Sequence, residues 1–247
     1  MVGLRVRTVV RAGVAPGRPP TIERVETDQR PFRDLTVGQF VERLASADPV
    51  PGGGSASAVA ASLGAALVAM VAALSSGRAR YAEHAAMHGD AGRRGRELAD
   101  RFLLLADRDS EAYAGFAAAL KLPKETEAER VARSSALAAA ARVASEVPLA
   151  CVEACRELVE AAEMLAGRSN VNAASDLAVA TLLGEAAAQG AAANVLVNLP
   201  SVADDDLAAR MTARVEILLA EIATLAVRTR QVVSSGEARD PLPSLNA

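Results

Sequence analysis

From about residue 34 onward, hydrophobic and polar positions follow the period of an α-helix. Apolar residues recur alternately four and three positions apart in several long segments, as along Leu98, Phe102 and Leu105. A separate segment, residues 49–77, contains no charged residue at all. Prolines and glycines separate the segments at short intervals. The pattern predicts an all-α fold, an antiparallel bundle of helices joined by short turns.

Capping residues predict where several of these helices begin and end. Capping boxes are present at residues 36–39 and 126–129, where threonine is followed three positions later by glutamine or glutamate. Ser55 is the expected N-cap of the charge-free helix, which should run to about residue 76. Pro148 falls inside a long helix and frees the carbonyl four residues before it, while Gly167 supplies the C-cap of the same helix.

The same pattern divides the chain into three parts. Residues 1–33 combine prolines and mixed charge with no helical period, and we expect them to be an N-terminal extension. Residues 34–235 form the predicted helical domain, and residues 236–247 form a C-terminal tail. The length of 247 residues is compatible with one such domain.

Composition supports helices that approach each other closely. Alanine accounts for 57 of the 247 residues, whereas aromatic residues make up 2% and tryptophan is absent. Alanine is the best helix former and the residues that favour strands are scarce, so a mainly β protein is nearly excluded. The charge-free helix is rich in serine, glycine and alanine, unlike a membrane span. We therefore expect it to be buried on all sides in a bundle that at least dimerises, without membrane contact.

Charge and motif content exclude several functional classes. A net charge of −3 leaves no broad basic face for nucleic acid. Phosphate-binding loops, dinucleotide fingerprints and serine-hydrolase elbows are absent. Cys151 and Cys155 lie one helical turn apart, as expected of two reduced core thiols in a cytoplasmic protein. His84 and His88 have the same spacing and no third ligand, so we expect a solvated helix face and no metal site.

The turn formed by Gly52, Gly53, Gly54 and Ser55 is a candidate binding site. Glycines let the backbone approach another group closely, and the unpaired N–H groups at a helix start attract an anion. A structural turn packed against a neighbouring subunit explains the same residues. The motif alone does not decide between these two interpretations.

Two aspartates, Asp109 and Asp176, interrupt stripes that are otherwise small or apolar. A carboxylate on a buried face must be paired or have a raised pKa, and such groups cluster at active sites. A structural acid that caps a backbone turn is the alternative for each. The stripe of Asp176 continues through Val179, Leu183, Ala187, Gly190 and Asn194. Asn172, Asn194 and Asn198 add amide groups along the same part of the chain.

A series of motifs resembles the formiminotransferase-cyclodeaminase C-terminal family, which also includes methenyltetrahydrofolate cyclohydrolases. In order, they are Pro-Val-Pro-Gly-Gly-Gly-Ser (49–55), Arg-Asp-Ser-Glu-Ala-Tyr (108–113), Lys-Leu-Pro-Lys (121–124), Glu-Val-Pro (146–148), Asn-Ala-Ala-Ser-Asp (172–176) and Asn-Val-Leu-Val-Asn-Leu (194–199). No single motif is decisive, but the ordered series is specific. The resemblance covers roughly residues 34–235.

The resemblance implies an all-helical, dimeric folate enzyme that needs no metal or redox cofactor. Its members act on the one-carbon unit that bridges N5 and N10 of tetrahydrofolate. The leading expectation is a cyclodeaminase of histidine degradation, which closes 5-formimidoyltetrahydrofolate to the 5,10-methenyl form and releases ammonia. The alternative is a cyclohydrolase, which opens the methenyl form with water to give 10-formyltetrahydrofolate. A helical interaction protein without catalytic activity is an alternative of a different class.

The resemblance also implies roles for the candidate residues. Asp176 is expected to carry the proton, because its helix start would hold it ionised, and Asp109 is expected to face the cationic carbon. Tyr113 is a candidate partner of the flat pterin ring. Lys121, Lys124 or the helix start at the glycine turn can receive the anionic glutamate tail of the folate, whether it carries one glutamate or several.

Overall fold

The computed structural model describes residues 30–242, most of which are helical. Six α-helices occur in this range: α1 (Val37–Leu44), α2 (Gly53–Ser75), α3 (Ala85–Leu120), α4 (Glu127–Leu165), α5 (Ala174–Asn198) and α6 (Asp205–Ser235). Short 3-10 helices lie in the connections, at Phe32–Asp34, Ala79–His84, Val171–Ala173 and Leu199–Ser201. Residues 30–242 contain no strand, which confirms the predicted all-α class.

Helices α2 to α5 form an up-and-down bundle, and α6 packs along α4 and α5. Cross-contacts fix the directions: Ser62 near the middle of α2 donates a hydrogen bond to the carbonyl of Ala99 at 3.0 Å, while Ser55 near its start reaches the carbonyl of Ala106 at 3.2 Å. The predicted antiparallel bundle is therefore confirmed. The starts of α2, α4 and α6 and the ends of α3 and α5 are directed towards the same end of the bundle, which we call the glycine-turn end, and the end of α3 and the start of α4 extend beyond the glycine turn.

Small residues set the distances between these helices. Gly95 of α3 lies directly against the backbone of α2, where an added Cβ would be 2.8 Å from the carbonyl oxygen of Ala65 and 2.8 Å from the nitrogen of Ala69. Gly64 of α2 lies similarly close to the carbonyl of Ala180 in α5, at 3.1 Å. Phe102 is the only phenylalanine, tyrosine or tryptophan among the largest fully buried side chains of residues 30–242. The core depends on close backbone approach rather than on large side chains.

The predicted helix ends are confirmed at three places and wrong at one. Both capping boxes, at residues 36–39 and 126–129, form with the reciprocal hydrogen bonds. Gly167 adopts a positive φ of 73° after α4, as a C-terminal cap requires. Ser55, however, is not the N-cap of α2, because that helix already begins at Gly53. Its hydroxyl points across to α3 instead.

The buried face of α5 differs from the predicted stripe. The residues that face the core include Leu177, Ala180 and Gly184, each one position after a predicted residue, and of the predicted stripe only Ala187 is fully buried. Val179 is 45% exposed, and Asp176 is only partly buried beside this face. The prediction that Asp176 lies on the inner stripe is therefore wrong. Because α5 is apolar almost all round, its hydrophobic pattern does not distinguish the inner face from the outer one.

Helix α2 is not buried on all sides within one chain. Leu63, Met70 and Leu74 expose 57%, 38% and 41% of their surface along one face. By length and composition, α2 and α4 each contain a stretch apolar enough to cross a bilayer, and half of the stretch in α2 is buried within the bundle. Dimerisation and the absence of membrane contact remain predictions.

The two histidines are buried, so the prediction of a solvated helix face is wrong. His84 and His88 are 6% and 1% exposed. His88 Nε2 lies 2.8 Å from the carbonyl oxygen of Arg168, at the turn that follows α4. Burial lowers the pKa of His84, an effect that the nearby Glu83 carboxylate opposes. The pair closes the end of the bundle opposite to the glycine turn.

Both ends of the described chain pack against the bundle. Phe32 is buried, and its backbone N–H donates to Asp107 of α3 at 2.8 Å. After α6, the backbone N–H of Arg239 donates to the carbonyl of Gly167 at 2.9 Å, and its guanidinium pairs with the buried Glu163 at 2.9 Å. Most of the predicted extension, residues 1–33, lies outside the described residues, as does the end of the tail after residue 242.

We predict that Gly95→Ala lowers the free energy of unfolding by about 1–3 kcal/mol, because the new Cβ meets backbone atoms of α2 that cannot move independently. Gly89→Ala is the matched control on the same helix. Its Cβ would meet nothing within 4 Å, and replacing a helical glycine should leave stability unchanged or raise it by about 0.5–1 kcal/mol. Urea denaturation of both variants tests this prediction; equal stabilities would contradict the close α2–α3 contact.

Candidate functional site

The glycine turn surrounds the carboxylate of Asp109. Ser55, two residues into α2, donates a hydrogen bond from its hydroxyl to Asp109 Oδ2 at 2.9 Å. Gly54 lies so close to the same carboxylate that any Cβ there would overlap its oxygen atoms. The absence of a side chain at residue 54 is therefore what admits Asp109 to the start of α2. The sequence predicted a close approach to another group here, and within the chain that group is Asp109.

The surroundings of Asp109 oppose its ionisation in one respect and favour it in another. Burial raises the pKa of the Asp109 carboxyl above its ordinary value, and hydrogen bonds from the hydroxyl and backbone N–H of Ser55 oppose this rise. The positive end of the α2 dipole also lies beside the carboxylate. Asp109 is nevertheless only partly buried, and Gly53, the neighbour of Gly54, is exposed. Such a carboxyl can exchange a proton with a ligand that approaches over the turn.

Helix α5 forms the other wall of the site. A Cβ on Gly53 would lie 3.7 Å from the side-chain nitrogen of Asn194. Asn194 donates to the carbonyl of Gly190 at 2.8 Å, and no hydrogen bond within residues 30–242 reaches its amide oxygen. Asn198, one turn later, donates to the carbonyl of Asn194 at 2.9 Å. Asn194 therefore lies beside the glycine turn, and Asn198 lies one helical turn further along α5, as their spacing predicted.

Tyr113 and the two lysines lie further along the same end of the bundle. Tyr113 follows Asp109 by one helical turn on α3 and is 46% exposed. Lys121 and Lys124 are exposed in the α3–α4 connection and form no ion pair within residues 30–242. Lys121 lies about 18 Å from Asp109 along the helix at ~1.5 Å per residue. These three side chains are therefore open to solvent on the glycine-turn side of the bundle.

Asn172 and Asp176 lie at the opposite end of the bundle. Asp176 is in the first turn of α5, whereas Asn194 is near its end, so about 27 Å of helix separates them at ~1.5 Å per residue. The carboxylate of Asp176 makes no hydrogen bond or ion pair within residues 30–242. Asp109 and Asp176, the two acids predicted from the sequence to be catalytic, are therefore far apart within one chain.

Two serines near the glycine turn were not identified from the sequence. Ser110 Oγ lies 3.2 Å from Ser55 Oγ, beside Asp109. Ser57 donates to the carbonyl of Gly53 at 2.8 Å and occupies the space left by Gly190 of α5. The Arg-Asp-Ser order at 108–110 was the available signal for Ser110. Within residues 30–242 no three His, Cys, Asp or Glu side chains are grouped to bind a metal ion, and a metal-independent reaction remains a prediction.

Several known proteins are similar to this chain. The methenyltetrahydrofolate cyclohydrolase of Methylorubrum extorquens is 37% identical over 81% of this chain and 96% of its own length. The formimidoyltransferase-cyclodeaminase of Rattus norvegicus is 35% identical over 95% of this chain, which spans 44% of the rat protein. The corresponding protein of Gallus gallus is 34% identical over 75% of this chain and 34% of its own length.

A solved structure and a sequence profile agree with these relatives. The crystal structure of formiminotetrahydrofolate cyclodeaminase from Thermotoga maritima superposes with a TM-score of 0.76 and 26% identity, covering 82% of this chain and 98% of that one. The profile of the formiminotransferase-cyclodeaminase family matches residues 36–217, a range that contains the glycine turn, both aspartates and the three asparagines. This chain belongs to the formiminotransferase-cyclodeaminase family.

Proposed function

We propose that this chain is a folate enzyme that hydrolyses 5,10-methenyltetrahydrofolate to 10-formyltetrahydrofolate. The observation that carries the choice of reaction is the match to the Methylorubrum cyclohydrolase, at 37% identity over almost the whole of that protein. The sequence alone favoured the cyclodeaminase reaction, so the comparison changes the order of the two candidates. The reaction would take place in the cytoplasm and would need no metal or redox cofactor.

Asp109 is the proposed proton carrier. The bridging carbon of the methenyl substrate is cationic, and water must lose a proton as it attacks this carbon. The ionised carboxylate of Asp109 accepts that proton and then returns it to N5 as the carbon–N5 bond breaks, while the remaining hydroxyl proton leaves to solvent as the formyl group forms. A partly buried anion beside the carbon also stabilises the cationic substrate. This role was expected of Asp176 from the sequence.

The remaining residues at the glycine-turn end would hold the rest of the folate. The free amide oxygen of Asn194 can accept a hydrogen bond from the pterin, and exposed Tyr113 can stack on it. Lys121 and Lys124 are unpaired cations at a distance that suits the glutamate tail. Asn172 is proposed to act together with Asp176, near which it lies.

Cyclodeamination is the second candidate. It is favoured by the Thermotoga structure, a separate cyclodeaminase chain of which this chain covers 98%. In that reaction N10 attacks the formimidoyl carbon, and a proton from N10 must reach the departing ammonia. Both reactions pass through a tetrahedral carbon between N5 and N10, so one carboxylate could serve either of them.

We predict that the purified chain lowers the absorbance of 5,10-methenyltetrahydrofolate well above the uncatalysed rate, and that it forms the same chromophore more slowly from 5-formimidoyltetrahydrofolate. Faster formation than loss would replace the cyclohydrolase by the cyclodeaminase. If neither rate exceeded that of buffer, the chain would be an interaction protein and the proposed function would be wrong.

Asp109→Asn should lower turnover about 10²-fold or more, since the isosteric amide cannot carry a proton. Asp107→Asn is the matched control on the same helix: it keeps an acceptor for Phe32 and should retain near-normal turnover. A raised pKa favours the protonated acid in the folded state, so wild-type stability should fall as pH rises through that pKa, and Asp109→Asn should remove this dependence. A drop in melting temperature with near-normal turnover would make Asp109 a structural cap instead.

The pH profile of turnover gives a second measurement on Asp109. The proposed base works only when ionised, so activity should be lost as pH falls through its pKa. Because burial raises that pKa, the acid limb should lie above the ordinary value of 3.8. A limb at or below the ordinary value would contradict the assignment of Asp109 as the base.

We further propose that Asp176 joins the site from a second copy of the chain. An exposed apolar face includes Leu63 and Leu74 of α2 and Leu182 of α5. Nothing within residues 30–242 covers this face, so it is a candidate for an isologous dimer interface. A two-fold axis perpendicular to the helices and passing near Leu63 would pair these faces antiparallel. Because Leu63 is near the middle of the ~27 Å between the two ends, this symmetry would place Asp176 of each chain beside the partner's glycine turn.

Mixing Asp109→Asn and Asp176→Asn chains, each of which we expect to be nearly inactive alone, tests this arrangement. In a heterodimer of Asp109→Asn and Asp176→Asn chains, one of the two sites would contain both intact acids, so random exchange should restore about a quarter of wild-type activity. Mixing Asp109→Asn with the double variant is the control and should restore none. No recovery in the first mixture, with exchange verified by mass spectrometry, would mean that Asp176 does not act across the interface.

A further inference from the structure

Pro148 lies in the interior of α4, at the point where α4 meets the end of α5. The helix is continuous from Glu127 to Leu165 in spite of it. Because proline has no backbone N–H, the carbonyl of Ala144 cannot accept the usual helical hydrogen bond from residue 148. The side-chain amide of Asn198 donates to this carbonyl at 2.8 Å. A donor from α5 thus replaces the one that α4 lacks.

Asn198 connects the Ala144 carbonyl to the glycine turn. Its second amide hydrogen is donated to the carbonyl of Asn194 at 2.9 Å, and Asn194 in turn lies against Gly53. The last turn of α5 is therefore fastened to α4 on one side and faces the glycine turn on the other. Pro148 itself is buried.

We infer that Pro148 is a positioning residue for the site: it keeps the Ala144 carbonyl available to Asn198, and this hydrogen bond holds Asn194 at the glycine turn. The inference rests on the proposed function for what Asn194 binds, but the hydrogen bond on which it depends is a property of the chain alone. A proline inside a helix is destabilising, because one hydrogen bond is missing and the ring presses on the carbonyl of residue i−4. Pro148 lowers the local stability of α4, but it leaves the Ala144 carbonyl free as an acceptor for Asn198.

Pro148→Ala should uncouple stability from activity. The new backbone N–H can bond to the Ala144 carbonyl, so the melting temperature should stay the same or rise. The Asn198 amide then competes for its acceptor, Asn194 is held less firmly, and KM for methenyltetrahydrofolate should rise about tenfold with a smaller change in kcat. Ser145→Ala, at the residue next to Ala144, is the matched control. It removes a hydrogen bond from the Ser145 hydroxyl to the carbonyl of Ala141 within α4, and it should leave KM unchanged.

A double-mutant cycle tests whether Pro148 acts through Asn198. Asn198→Ala should raise KM at least as much as Pro148→Ala, because it removes the bond to Asn194 as well as the bond to Ala144. The double variant should be no worse than Asn198→Ala alone, because the bond that Pro148 protects is then already absent. Additive increases in KM, or a Pro148→Ala enzyme with wild-type KM, would overturn the inference.

A measurement without substrate separates this inference from the proposed function. The side-chain amide resonances of Asn194 should shift in both Pro148→Ala and Asn198→Ala and stay in place in Ser145→Ala. If the wild-type chain were inactive on both folates, the proposed function would fail, and these resonances would still decide the positioning role: unchanged Asn194 signals in Pro148→Ala would refute it.

Discussion

The contact between the Asp109 carboxylate and the start of α2 depends on how closely α2 and α3 approach each other. Glycine and alanine along both helices bring the two backbones into contact near Gly95, and the same proximity continues to Gly54 at the glycine-turn end. With larger residues between the helices, Asp109 would lie too far from Ser55 for a hydrogen bond. The alanine-rich composition is thus part of how the site is built as well as of how the chain folds.

In this arrangement Asp109 is held by hydrogen bonds and still has a raised pKa, although hydrogen bonds to a carboxylate usually lower its pKa. A buried carboxylate is costly, and a well hydrogen-bonded one is a weak base. Here Ser55 supplies enough hydrogen bonding to keep the acid in place, while burial keeps its pKa raised. Asp109 is only partly buried, so its carboxylate stays accessible to a ligand. A group of this kind can hold a proton briefly and release it within one catalytic cycle.

Local features were predicted well from the sequence. Which face of the most apolar helices is buried was predicted poorly. Both capping boxes, the C-terminal glycine of α4 and the carbonyl freed by Pro148 follow from rules that involve only neighbouring residues. The inner face of α5 could not be predicted in the same way, because alanine and valine surround the helix and its pattern has no polar side. Asp176 was misplaced for this reason. The burial of His84 and His88 depends on the turn after α4, which lies eighty residues away from them in the sequence.

The end of α6 and the residues after it contribute ion pairs to α4, although they lie beyond the range that the family profile matches. The family profile ends at residue 217, but the buried carboxylate of Glu163 finds its cations, Arg228 and Arg239, only beyond that point. A chain cut at the end of the match would keep every site residue but would lose both ion pairs of the buried Glu163. In this protein, therefore, the segment that the family profile matches is shorter than the segment that contains both ion-pair partners of Glu163.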